Sequence, residues 1–189
     1  MSTAIDLTEH LIASEILVEG GMLTVKRDQV RLSNNNTSQR EYVDHPGAVV
    51  VVAVLPNGHI VLERQYRYPL HQVFIELPAG KIDAGESILV TGQRELLEET
   101  GYSANNWVKL GLLHPCIGYS NEVIHMYLAQ DLFAGPHKRD DGELLEVFTA
   151  NIEDCLQMID NGEITDAKTI IALIFAEKYL IRHGLNHFG

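Results

Sequence analysis

Residues 80–102 read Gly80-Lys-Ile-Asp-Ala-Gly85-Glu86-Ser-Ile-Leu-Val-Thr-Gly92-Gln-Arg94-Glu95-Leu-Leu-Glu98-Glu99-Thr-Gly101-Tyr102, and no other segment of the 189-residue chain says as much about its fold. From Ser87 to Thr100 the apolar spacing is helical, and Gly101 stands where a helix commonly ends in a left-handed glycine. Glu95 and Glu99 are four apart and Glu95 and Glu98 three apart, so all three carboxylates address one side of that helix. Each such like-charge neighbour costs a few tenths of a kcal/mol in an isolated helix. A hard divalent cation such as Mg²⁺ offsets the repulsion, because it takes oxygen ligands and keeps waters for bridging to phosphates. The alternative for a bare carboxylate cluster is a solvated acidic face.

The sequence on either side sets the organisation. From Ser14 to Val43 it predicts three strands, Glu15 to Glu19, Leu23 to Leu32 and Arg40 to Val43, separated by Gly20-Gly21 and by a polar turn with Asn34, Asn35 and Asn36. A three-stranded sheet has one face to bury and open edges, so it needs a partner surface, either the rest of the chain or another subunit. After His45-Pro46-Gly47 comes the apolar run Ala48 to Leu55, which suits a strand buried on both faces. The boundary therefore falls near Pro46, giving residues 1–45 as a small antiparallel sheet and 46–189 as the main domain. Further strands are expected at Ile60 to Tyr66, Val73 to Leu77, Val108 to His114, Val123 to Ala129 and Leu144 to Ala150. Two helices, Ile152 to Asp160 and Thr165 to Arg182, follow. This order indicates an α+β sandwich of sheet and helices.

The chain carries 14 Lys and Arg against 26 Asp and Glu, a net charge of −12. That excess repels nucleic acid and anionic membrane at long range, so neither is expected as a partner. An anionic ligand has to be met locally, by arginines or bound cations. Apolar runs fall far short of the ~20 residues that cross a bilayer, and no basic residue precedes Lys26 to form a signal peptide. A cytoplasmic location is expected, with Cys116 and Cys155 as reduced thiols.

Residues 80–102 fit the pattern G-x5-E-x7-R-E-U-x-E-E-x-G-U at every position, U being bulky and apolar or aromatic. A chance match in a chain of this length is roughly 10⁻⁷ or rarer at average composition. The stretch resembles the Nudix box, and the chain resembles a Nudix hydrolase. The resemblance implies the Nudix fold, an α/β/α sandwich of mixed sheet and helices. It implies that Glu95, Glu98 and Glu99 are metal-binding carboxylates, Glu98 counting also among the catalytic groups, with Mg²⁺ or alternatively Mn²⁺ as the metal. It implies that the Ala79 carbonyl faces the metal, and that Glu86 is either a further ligand or the partner of Arg94. Arg94 suits a structural role, since a guanidinium among acids pairs bidentately with carboxylate. Gly92 costs up to about 1 kcal/mol inside a helix; it leaves room either on the metal face or for close packing of helix on strand.

Beyond the box, Arg40-Glu41-Tyr42-Val43, His45-Pro46-Gly47-Ala48-Val49, Arg64-Gln65-Tyr66-Arg67-Tyr68-Pro69 and Glu76-Leu77-Pro78-Ala79-Gly80 resemble the ADP-ribose pyrophosphatase group over roughly Ser14 to Leu180. That group implies a domain-swapped homodimer built on the N-terminal sheet. It also implies a nucleoside diphosphate sugar as substrate, preferably ADP-ribose, cleaved to AMP and ribose 5-phosphate. GDP-mannose or another nucleotide sugar is the alternative substrate, and a non-catalytic sensing module the alternative class. Arg40 and Arg67 match substrate-contacting positions, with Arg64 a weaker one; the alternative for each is a salt bridge. Tyr66, Tyr68 and Phe74 either stack on a base or pack in the core. The general base is expected on the acidic loop Gly135 to Glu146, at Glu143, with Glu122 as second candidate. His114-Pro115-Cys116-Ile117-Gly118-Tyr119 departs from the compact Ser-Pro-Gly-aromatic turn of the group, which leaves the leaving-group sugar open.

Overall fold

The structure is a computed structural model and describes residues 5–135 and 144–185. The chain divides into two compact units, Met1–His45 with Cys116–Glu122, and Pro46–Pro115 with Val123–Gly189.

In the first unit β1 (His10–Glu19), β2 (Thr24–Arg31) and β3 (Thr37–Asp44) form an antiparallel meander. Every residue of β1 is exposed, and Val30 is the one buried apolar side chain among the unit's described residues. Charge pairs across the strands hold the register: Arg27 reaches both Glu15 and Glu41, at 3.1 and 2.6 Å. β1 starts five residues before the expected Glu15. Register shifts between Leu11 and Ala13 and between Ile16 and Val18 interrupt the alternation that would have marked its beginning. The segment 116–122 docks on β3, where the Val43 N–H donates to the Tyr119 carbonyl at 2.9 Å.

The second unit is built on β4 (Ala48–Ala53), whose six residues are all buried. It lies inside a four-stranded mixed sheet in the order β7 (Ala79–Lys81), β4, β9 (Ile124–Ala134), β8 (Tyr102–Leu113), parallel to β9 and antiparallel to β7. A second, antiparallel sheet has the order β10 (Leu145–Ala150), β5 (Ile60–Arg67), β6 (Gln72–Glu76). Side-chain alternation gives β4 two apolar faces. Val49 and Val51 join Leu96 of α1 (Ile88–Thr100), whereas Val50 and Val52 join Ala172, Leu173 and Ala176 of α3 (Ala167–Arg182) and Cys155 of α2 (Ile152–Asp160). The result is the expected sandwich, with α1 on one side and α2 and α3 on the other. Among the described residues no helix is long and apolar enough to cross a membrane.

In the second unit β8 and β7 also differ from expectation. β8 begins at Tyr102 rather than Val108 because it is the edge strand of its sheet, where polar residues such as Asn105, bonded to Asp131 at 2.9 Å, are tolerated. β7 has three residues and no apolar alternation to announce it.

Candidate functional site

α1 starts after Ser87 and closes at Gly101, whose φ of 74° and N–H bond to the Leu97 carbonyl are those of a left-handed cap. This frames the last turns so that Glu95 and Glu99 lie against β7. The contact is close. A Cβ on Gly80 would stand 1.8 Å from Glu95 Oε1, so only glycine leaves space for that carboxylate over the strand. The Ala79 N–H donates to Glu99 Oε2 at 2.9 Å, fixing the buried carboxylate against the same strand.

Arg94 gathers the remaining acids. Its Nη1 donates to Glu95 Oε1 at 2.8 Å and to Glu98 Oε2 at 3.0 Å. Nε and Nη2 donate to the two oxygens of Glu86 at 3.0 and 3.1 Å, and Nη2 also to the Lys81 carbonyl at 3.1 Å. Of the two roles open for Glu86, the structure displays the partner of Arg94. The bidentate pairing holds the Glu86 carboxyl down to about 2, with a further bond from the Thr91 hydroxyl, and in turn raises Arg94. As these side chains stand, no three acidic, His or Cys groups among the described residues converge on a single metal position; the guanidinium draws them onto itself. The donor set still suits a hard divalent cation. Glu86, Glu95, Glu98 and Glu99 are four oxygen-donor groups, three of them paired with Arg94, and glycine replaces a side chain where Glu95 lies.

Arg67, at the end of β5, donates from Nε and Nη2 to both oxygens of Glu76, each at 2.7 Å. Glu76 is 2% exposed and also contacts Lys168 Nζ. Burial pushes this carboxyl up, but Arg67 and Lys168 outweigh it and hold it below the usual carboxylate range. Arg67 is raised, chiefly by Glu76, and lies within electrostatic reach of Glu63 and Glu99. The partner of this arginine, Glu76, stands three residues before Ala79, whose N–H holds Glu99 of the box helix. Sequence reasoning assigned no role to Glu76, Lys168, Asp166 or the buried Glu63. Glu76 had a signal, a single acid inside the otherwise apolar Val73 to Leu77, whereas Lys168 had none.

The other expected residues are placed as follows. Arg64 lies 4.0 Å over the Phe148 ring and 3.2 Å from Glu146, both on β10. Tyr66 and Tyr68 are 52% and 74% exposed, so neither serves the core. In the first unit Arg40 pairs bidentately with Glu9 at 2.5 and 2.9 Å, and Glu122 Oε1 stands 3.7 Å from His45 Nδ1. Glu143, with Asp140 and Asp141, lies outside the described residues.

The family model described as NUDIX domain matches residues 44–173. The ADP-ribose pyrophosphatase of Bacillus subtilis (strain 168) is 38% identical over 173 residues, covering 90% of this chain and 94% of that protein. The ADP-ribose pyrophosphatase of Mycobacterium tuberculosis (strain ATCC 25618 / H37Rv) is 43% identical over 174 residues, covering 89% and 84%. A crystal structure of an ADP compounds hydrolase shares the fold at a TM-score of 0.84 and 23% identity, over 96% of this chain and 100% of that one. With the box running from β7 through α1 to the start of β8 and a domain match over most of its length, the chain belongs to the Nudix family.

Proposed function

We propose that this protein is a Nudix pyrophosphohydrolase that cleaves the diphosphate of a nucleoside diphosphate sugar, with ADP-ribose preferred and AMP and ribose 5-phosphate as products. The observation that carries the proposal is the gathering of Glu86, Glu95 and Glu98 around Arg94, with Glu95 over Gly80 and Glu99 held by the neighbouring Ala79 N–H. The names of the two bacterial relatives support the substrate class.

Glu95, Glu98 and Glu99, with the Ala79 carbonyl, would hold Mg²⁺ or alternatively Mn²⁺. Bound there, the metal supplies charge neutralisation on the phosphoryl oxygens and acidification of the attacking water. The chain contributes the rest. The Ala79 N–H restrains Glu99, and Arg94 restrains Glu95 and Glu98. Arg67 keeps donors beyond those given to Glu76, and a partly exposed guanidinium is suited to a diphosphate. Arg40, Arg64 and Tyr66 are further substrate contacts in this proposal. Glu143 accepts the proton of the attacking water, with Glu122 as the second candidate.

The first unit serves as the dimerisation element of a domain-swapped homodimer in the cytoplasm. Leu11, Ile12, Ile16, Leu17 and Val18 are exposed along one strand, an apolar surface that a second copy would cover. Sedimentation at micromolar concentration should give a dimer; a monomer would remove this part.

The activity is tested by measuring AMP release from ADP-ribose, beside GDP-mannose, NADH and diadenosine polyphosphates, with and without Mg²⁺. Metal-dependent release from ADP-ribose is expected. Preference for GDP-mannose would reassign the substrate, and binding of ADP-ribose without cleavage in Mg²⁺ would make the protein a sensing module.

A further inference from the structure

We infer that the first turn of α3 is a positioning device for the substrate-binding arginine: Lys168, acting through Glu76, sets how Arg67 is offered to an anionic ligand. This rests on the proposed role of Arg67. The grip is made at two points. Lys168 Nζ contacts the Glu76 carboxylate, and the Thr169 hydroxyl oxygen accepts from the Leu77 N–H at 3.0 Å. Asp166 holds both gripping residues in place, accepting from Lys168 Nζ and from the Thr169 N–H, each at 3.0 Å. Two residues beyond Leu77, the Ala79 N–H fixes Glu99. One short stretch, Glu76 to Ala79, therefore carries the restraint on the arginine at one end and on a box carboxylate at the other, and α3 clamps it from outside the site.

Charge explains why two cations share one buried carboxylate. With Lys168 present, Glu76 is neutralised without drawing fully on Arg67, whose guanidinium has five N–H donors, of which Glu76 takes two. Without Lys168, Arg67 becomes the only one of the two cations left to Glu76, is pulled more strongly onto it, and meets the ligand less well. The buried carboxylate would still be paired, so the fold would survive the loss.

The test compares wild type, Lys168→Met, Lys168→Arg and Asp166→Asn. Calorimetry in EDTA gives the Kd for ADP-ribose, and turnover assays in Mg²⁺ give KM and kcat, with melting temperatures measured alongside. Lys168→Met should raise Kd and KM roughly tenfold with kcat within about twofold, the pattern of a lost binding contribution rather than lost chemistry. Lys168→Arg should restore most of the loss. Asp166→Asn keeps an acceptor oxygen for the cap but removes the negative charge that competes with Glu76 for Lys168, so Kd should fall. Unchanged Kd in Lys168→Met, or a loss confined to kcat, would overturn the inference. Should that variant not fold, Asp166→Asn decides alone: a lowered Kd supports the inference, and an unchanged or raised one overturns it. Wild-type protein that binds ADP-ribose but releases no AMP would refute the proposed activity while the Kd series still judged Lys168; wild-type protein that does not bind it would overturn both.

Discussion

Gly80 and Glu86 show what single positions contribute. A methyl group at position 80 would overlap the Glu95 carboxylate, with its Cβ 1.8 Å from Oε1. Because that carboxylate is the flexible end of its side chain, it gives way before the backbone does. Gly80→Ala should therefore cost turnover about a hundredfold, the scale of a catalytic group displaced by an ångström, with little change in melting temperature; a comparable loss of stability would contradict this. Glu86 has the opposite signature. Its folded-state value of about 2 lies below the ordinary 4.5, so the stabilisation it shares with Arg94 is complete above about pH 4.5 and is lost as the pH falls toward 2. Melting curves of the metal-free protein should decline through that window, and less steeply for Glu86→Gln. Equal slopes would show that the pair contributes nothing to acid stability.

α1 is the element most fully written in the sequence. Its period, its glycine terminus and the carboxylate face are all local properties, and each is found where the spacing put it. Gly92 was open between two roles, and the packing around it favours one. An added Cβ would stand 3.1 Å from Val49 Cγ1 and 3.5 Å from Trp107 and Val51, against a strand that is wholly buried. The helix gains up to about 1 kcal/mol from alanine, but overpacking costs about 1–3 kcal/mol, so Gly92→Ala should lower the melting temperature and leave kcat alone. Lost turnover in a fully stable variant would return Gly92 to the metal face. Elements defined by non-local pairing were less legible. β7 exists because β4 is beside it, β1 conceals its start behind bulges, and Lys168 meets Glu76 across 92 positions of sequence. Arg64 and Arg67, three apart on one strand, are already separable by alternation, and they part onto Phe148 and Glu146 and onto Glu76.

At the scale of the whole molecule, a net charge of −12 and an anionic substrate are reconciled locally. Arg94 takes up three of the box acids and Arg67 stands within reach of the fourth. The second unit builds both apolar layers of its sandwich from its own residues, whereas among the described residues of the first only Val30 is a buried apolar side chain. Everything functional in this account depends on the acids of α1 acting as ligands for a divalent ion rather than as a solvated face. The most direct measurement is Mn²⁺ affinity and AMP release from ADP-ribose, taken together, for wild type and for the Glu98→Gln, Glu99→Gln double variant. The folded double variant should lose at least tenfold in Mn²⁺ affinity, on the scale of losing a metal-site contact, and AMP release should collapse with it. Unchanged metal affinity with undiminished hydrolysis would contradict it.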